Sequence, residues 1–292
     1  VFAEVAQLFP GPYIHVGGDE AIKTQWQASP RVQARMRELG LADEAALQSW
    51  FIHRLENILH AHGKRLIGWD EILDGGLAPD ATVMSWRGIE GGIAAARQGH
   101  DVVMSPVSHL YLDYLQTASP DEPAGRPQPK LLPLHTFYQF EPVPDALDAT
   151  RQRHILCLQA NMWTTDDVRF SAVEHNTFPR LLAVAETGWT PKARKDYPDF
   201  LRRLPAWNAR YEKLGVNYAR TPFQVLLDAE PAASGNAAHV GLGNPLGYAI
   251  HYTLDGSEPT PRSPRYQALT VKNAPRQPLA LQVALPATLK EI

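Results

Sequence analysis

Five short apolar runs, each separated from the next by a stretch long enough for a helix, set the architecture of this 292-residue chain. They read "YIHV" from Tyr13, "RLIGW" from Arg65, "TVMSW" from Thr82, "DVVMS" from Asp101 and "ILCLQA" from Ile155. Val, Ile, Leu and Met in unbroken succession suit strands buried on both faces, as in a parallel sheet. The intervening stretches carry helix signals. Asp43 is placed to cap a helix whose apolar face holds Leu47, Phe51, Leu55, Ile58 and Leu59, and Gly63 can end it in a left-handed turn. "GGIAAARQGH" closes in the same way at Gly99, and "FSAVEHNTFPRLLAVAETGW" is helical with a kink or break at Pro179. Strand and helix in alternation point to an α/β fold, a parallel sheet with right-handed crossovers.

Residues 119–144 hold seven prolines and little apolar periodicity, which predicts a long loop overhanging a site. Beyond about Asn217 helical periodicity fades. Alternating runs such as "YAIHYTLDGSEP" and "PLALQVAL" take over, with "DG" as a hairpin signal. Two domains are therefore expected, 1–216 and 217–292. A formal net charge of −3 and the lack of any Lys or Arg run argue against nucleic acid as a partner. No apolar run is long enough to span a membrane. The lone Cys157, inside "ILCLQANMW", reads as a small core residue, so no disulfide within the chain is available. The chain starts at Val1 with no initiator Met and no visible leader, and is expected to be a piece of a longer one.

In parallel α/β architectures functional groups gather just past the carboxyl ends of the strands, where the loops share one face. The residues there are Asp19 and Glu20, then Trp69, Asp70 and Glu71, then Trp86 and Arg87, then Pro106 to Tyr111 with Asp113, and finally Trp163. Indoles among carboxylates suit a sugar, whose apolar face stacks while its hydroxyls find acceptors. Trp26, Trp50, Trp189 and Trp207 fall on helices or their ends and read as core. His15 reads as a hydrogen-bonded core histidine, and the scattered histidines show no metal-ligand spacing.

The motifs "HVGGDE", "GWDEI", "MSWRG", "VVMSP…YLDY" and "QANMWT", in this order, resemble glycoside hydrolase family 20, the β-N-acetylhexosaminidases, over roughly residues 1–215. "YTLDGSEPTPRSPRY" is similar to the small β-sandwich module that often follows that catalytic domain. The resemblance implies a portion of a (β/α)8 TIM barrel, about five C-terminal strands with the first strands lying before Val1, then a small, incomplete β-sandwich module. It implies exo-hydrolysis of terminal non-reducing β-linked N-acetylglucosamine or N-acetylgalactosamine from oligosaccharides or glycoconjugates. The reaction would retain configuration, with the substrate's own 2-acetamido oxygen as nucleophile, outside the usual two-carboxylate scheme. No cofactor and no metal are implied, and a periplasmic or secreted location is.

By the same resemblance Glu20 is the general acid and then the base, while Asp19 holds the acetamido N–H and stabilises the positive charge of the cyclised intermediate. Trp69, Trp86 and Trp163 would box the acetamido methyl, Tyr111 would bond the acetamide oxygen, and Asp113 would contact a sugar hydroxyl. Asp70 and Glu71 take a supporting role in the shape of the site. Two features depart from the family pattern. Thr165 stands where Trp-Thr-Glu would place a glutamate, with Asp166 or Asp167 as substitutes, and the family's substrate-binding arginine, with further polar residues of its first strands, is expected to lie before Val1. Five strands would leave "YIHV" at an open edge, so this chain alone is expected to be inactive and prone to associate. Two other readings compete. The GGDE loop of diguanylate cyclases has Phe next, where this chain has Ala21; a catalytically silent glycan-binding protein on the same fold would not need Asp19 and Glu20.

Overall fold

The computed structural model describes residues 1–123, 131–164, 169–231, 237–272 and 281–285. They form two compact units, Val1–Tyr111 with Glu141–Asn161, and Leu112–Phe140 with Met162–Ile292. In the first unit, β1 (Tyr13–His15), β2 (Arg65–Trp69), β3 (Thr82–Ser85), β4 (Val102–Met104) and β5 (Ile155–Leu158) make one parallel sheet in sequence order. All five fall on the apolar runs. α1 (Phe2–Leu8) precedes β1; α2 (Thr24–Ala28), α3 (Pro30–Glu38) and α4 (Glu44–His60) connect β1 to β2; α5 (Glu90–Gln98) connects β3 to β4; and α6 (Val107–Leu110) follows β4. α7 (Leu134–Gln139) belongs to the second unit and α8 (Ala149–Gln152) to the first.

β3 and β4 are buried along their whole length, whereas β1 and β5, at the sheet's two edges, are partly exposed. Ile67, Met84 and Val103 cluster on one side with Tyr13 and Trp69 against them. α5 lies so close to β4 that a Cβ on Gly92 would sit 2.8 Å from Met104 Cε and 3.0 Å from Val102 Cγ1. Each such apolar side chain contributes about 1.5–3 kcal/mol when fully buried. α4 begins as the sequence predicts, with Asp43 Oδ1 accepting the Ala46 N–H at 2.8 Å, and Gly63 beyond it takes φ +67°. Its buried face is turned from the expected one, however: Leu55 and Leu59 are buried, but Phe51 and Ile58 are 54% and 42% exposed. Polar anchors decide this. Gln48 donates to Gly18 O (2.7 Å), Ser49 to Gly76 O (2.6 Å), and Glu56 accepts the Asp80 N–H (3.0 Å), so these three point inward. Cys157 is also corrected: it is exposed, as is Leu156 at 47%, because β5 is an edge of the sheet with no strand beyond it among the described residues.

In the second unit α9 (Phe170–Thr177) and α10 (Arg180–Trp189) are separated at the cis Phe178–Pro179 bond, and α11 (Tyr197–Leu214) follows. The proline-rich segment is not simply a loop. α7 lies within it, buries Leu134, Phe137 and Tyr138, and is tied to α10 by the Thr187 hydroxyl, which reaches Phe137 O and Tyr138 O. Arg180 is wholly buried, donating to the carbonyls of Tyr114 (2.9 Å), Leu132 (2.9 Å), Leu112 and Asn176. Burial pulls its pKa down to about 9, against the pull of Glu122 and Asp113.

The four tryptophans expected in the core are not buried. Trp189 is 90% and Trp207 38% exposed, and Trp26 and Trp50 are half-buried. Arginines cover some of these rings instead: Arg210 lies 4.5 Å from the Trp207 centroid and Arg54 5.2 Å from that of Trp50. After α11, β6 (Leu226–Pro231), β7 (Ala237–Gly243) and β9 (Leu269–Lys272) form an antiparallel sheet, and β8 (His251–Thr253) pairs with β10 (Gln282–Ala284). Val240, Leu242, Ile250, Leu269 and Leu285 make their core. After the Asp255–Gly256 pair, where Asp255 Oδ1 accepts the Ser257 N–H, the chain returns antiparallel to β8 through the His251–Arg265 bridge, over a loop longer than two residues, and β10 is the ladder partner of β8. Among the described residues no helix is long and apolar enough to cross a membrane.

Candidate active site

The chain leaves β1 into a loop that two glycines and one strained glutamate define. Gly17 and Gly18 have φ of +76° and +103°, and Glu20, at +48°, is the one non-glycine with positive φ among the described residues. Glycine is required at Gly18, where a Cβ would lie 2.7 Å from Ile72 Cγ2. For Glu20 the left-handed conformation costs about 1–2 kcal/mol, so the surroundings must impose it. They do so at four points. Gly17 O accepts the Trp69 N–H (2.9 Å), His15 Nδ1 accepts the Gly17 N–H (3.0 Å), Gly18 O accepts from Gln48 (2.7 Å), and Glu71 Oε1 accepts the Glu20 N–H (3.5 Å). The side chains of Asp19 and Glu20 are left exposed at the carboxyl end of the strand.

The neighbouring strands supply the aromatic groups. Trp69 ends β2 and meets His15 edge to face, with centroids 4.8 Å apart. His15 is thus not a core histidine: β1 is an edge strand of three residues, and His15 is exposed. Packing against Trp69 still desolvates its ring and lowers its pKa, with Asp19 pulling the other way. After β2 a 3-10 turn, Asp70–Leu73, buries Asp70 and Glu71. Glu71 Oε2 accepts the indole N–H of Trp86 at 2.9 Å, and Asp70 Oδ1 accepts from Arg87 Nε at 2.9 Å. Burial raises the Asp70 pKa to about 6, with Arg87 opposing the rise.

Trp86 stacks on Tyr111, which is buried beyond β4, with centroids 6.4 Å apart and planes at 25°. Asn161, past β5, is bridged to Tyr111 and donates to Ser105 Oγ (2.7 Å), while Gln159 donates to its Oδ1 (2.8 Å).

Asp19, Glu20, Trp69, Trp86 and Tyr111 therefore all lie in the first unit, just past the ends of consecutive strands β1 to β4. Asp113 and Trp163 belong to the second unit. There Asp113 is buried between two residues whose carbonyls Arg180 holds, and Trp163 is 42% exposed. Thr165, Asp166 and Asp167 lie outside the described residues. Sequence reasoning did not identify Gln48, Gln159 or Asn161. A polar residue on an otherwise apolar helix face and the "QAN" after the last strand were the available signals. Among the described residues no group of three or more His, Cys, Asp or Glu side chains could hold a metal ion.

The model of the glycosyl hydrolase family 20 catalytic domain matches residues 1–192. The chain belongs to glycoside hydrolase family 20. Its five-stranded sheet is a portion of that family's (β/α)8 barrel, and a chitobiase/beta-hexosaminidase C-terminal domain matches residues 232–290. Among family 20 relatives, a beta-hexosaminidase of Porphyromonas gingivalis is 46% identical over 273 residues, covering 91% of this chain and 34% of the relative. One from Vibrio furnissii is 36% identical over 196 residues, 66% of this chain and 32% of the relative. The chain thus spans about a third of the length of these relatives. Of solved structures, the family 20 exo-β-N-acetylglucosaminidase of Vibrio harveyi in complex with N-acetylglucosamine superposes with a TM-score of 0.69 at 38% identity, over 74% of this chain and 34% of that one. The chitobiase of Flavobacterium johnsoniae gives 0.62 at 32% identity, over 74% and 31%. These relatives are named as hydrolases, which lends no support to a catalytically silent binding protein.

Proposed function

We propose that this chain carries the acid and acetamide-binding side of a β-N-acetylhexosaminidase, which removes terminal non-reducing β-linked N-acetylglucosamine or N-acetylgalactosamine. The observation that carries the reading is the clamped loop at the end of β1, which presents Asp19 and Glu20 together beside Trp69 and the Trp86–Tyr111 stack. Successive side chains on a turn point in different directions, so one carboxyl can serve the glycosidic oxygen while the other serves the acetamide. Glu20 protonates the leaving oxygen as the 2-acetamido carbonyl attacks the anomeric carbon, then takes a proton from the water that opens the cyclic intermediate. Asp19 accepts the acetamido N–H and balances the charge that grows on that ring. The indoles give the acetamido methyl an apolar wall.

In the full-length protein, Glu20→Gln should cut turnover of substrates with poor leaving groups by about 10²–10⁴-fold and spare activated aryl glycosides. Asp19→Asn should weaken inhibition by a stable thiazoline mimic of the intermediate. Equal losses for both leaving-group classes, or efficient cleavage of plain β-glucosides, would refute the mechanism.

A further inference from the structure

Glu71 is a buried carboxylate that has no part in the reaction as proposed, yet its two oxygens reach two different pieces of the site. Oε2 accepts the Trp86 indole N–H at 2.9 Å, and Oε1 accepts the backbone N–H of Glu20 at 3.5 Å. Glu71 is 8% exposed, and its neighbours leave it little freedom: Ile72, next in the 3-10 turn, is 1% exposed and wedges beneath Gly18 and Gly68. The preceding residue repeats the pattern, because Asp70 grips Arg87 as Glu71 grips Trp86. Two consecutive acids after β2 thereby hold two consecutive residues after β3. The short contact anchors Glu71 on the indole, and the long one extends from that anchor to the acid loop.

We infer that Glu71 is a positioning residue that couples the seat of Trp86 in the acetamide pocket to the left-handed backbone of Glu20, and so to the aim of the general acid. The inference rests on the hydrolase reading above. It requires a group that accepts on both sides. A carboxylate does so, whereas an amide of the same shape presents one acceptor and one donor and must face either the indole N–H or the Glu20 N–H with its own N–H. Glutamine at this position therefore breaks one of the two contacts without changing volume. A displaced acid harms the step that needs proton transfer most, and misplacement of this kind is worth up to about a hundredfold in rate.

The test is a double-mutant cycle in the full-length protein, read by kinetics and by hydrogen exchange. Glu71→Gln should lower kcat about ten- to a hundredfold on a substrate with a poor leaving group, lower it less on an activated aryl N-acetylglucosaminide, and change KM about threefold at most. In a Trp86→Phe background, where no indole N–H competes, the glutamine can turn its oxygen to Glu20, and the added loss from Glu71→Gln should shrink about tenfold. The same loss in both backgrounds, or a change confined to KM, would overturn the inference.

Exchange of the Glu20 amide proton gives a readout independent of turnover. It should speed up in Glu71→Gln and, because the anchor is gone, in Trp86→Phe as well, so that failure of Glu71→Gln to fold still leaves a decisive variant. Unchanged exchange in Trp86→Phe would remove the coupling. Faster exchange in both variants together with no leaving-group dependence in Glu20→Gln would instead sink the hydrolase mechanism and leave the positioning role standing.

Discussion

His15 links pH to the geometry of the Gly17–Glu20 loop, because its Nδ1 can accept the Gly17 N–H only while that nitrogen carries no proton. Contact with Trp69 holds its pKa below the ordinary imidazole value of 6.5. Below that value the unfolded chain binds a proton that the folded one resists, so this contribution to stability is complete at neutral pH and declines as pH falls through the window beneath 6.5. His15→Phe keeps a ring against Trp69 but removes both the acceptor and the titration. The native protein should therefore be slightly more stable than the variant at neutral pH, by a margin that solvent screening keeps small, and the gap should close in acid. A gap that does not change with pH in thermal melts would show that the imidazole is not linked to folding. The sequence made Asp19 and Glu20 legible as a motif, yet it left open what holds them. The grip of Gln48 and Glu71 is made across separate elements, and no local spacing encodes it.

At the scale of elements, the turn after β2 works as a bracket on the turn after β3. Arg87 is the exposed half of one of its two pairs: Asp70 is 2% exposed and Arg87 about half-buried. Burial raises the Asp70 pKa to about 6, above the ordinary 3.8, so between those values the folded chain binds more protons than the unfolded one and stability falls as pH rises. Arg87→Met removes the cation that limits the rise. The window then extends upward, and the variant should be more destabilised at neutral pH than near pH 5, by about 3 kcal/mol at neutral pH. Chemical denaturation at the two pH values measures this, and equal losses at both would mean that Asp70 is already neutral beside Arg87. The rotation of α4 shows where pattern reading stopped. Hydrophobic spacing located the helix and its cap, but the buried face was set by Gln48, Ser49 and Glu56, whose partners lie in loops distant in sequence.

At the scale of the whole molecule, all five strands were legible because each is a short run rich in apolar residues, whereas the exposure of Cys157 and Leu156 was not, since it depends on which strands lie at the edges. β1 and β5 each lack a neighbour on one side among the described residues. Unpaired edges of this kind recruit other strands. The 292-residue chain should therefore self-associate in a concentration-dependent way, seen by light scattering, and its lone thiol, exposed but with its pKa raised by burial, should label with a maleimide while the chain is dilute, more slowly than a free thiol. Any strand laid along β5 should slow that labelling about tenfold or more. A monodisperse monomer with an unreactive thiol would show that the edge is already covered.

Arg180 has a consequence at this scale too. It holds the carbonyls of Tyr114 and Leu132, and the Leu132 N–H bonds Leu115 O at 2.8 Å, so these two pieces of backbone are fastened to each other and to one guanidinium. Asp113 lies between Leu112 and Tyr114, whose carbonyls that guanidinium holds, so one buried cation locks the backbone on both sides of the carboxylate and leaves it no hinge.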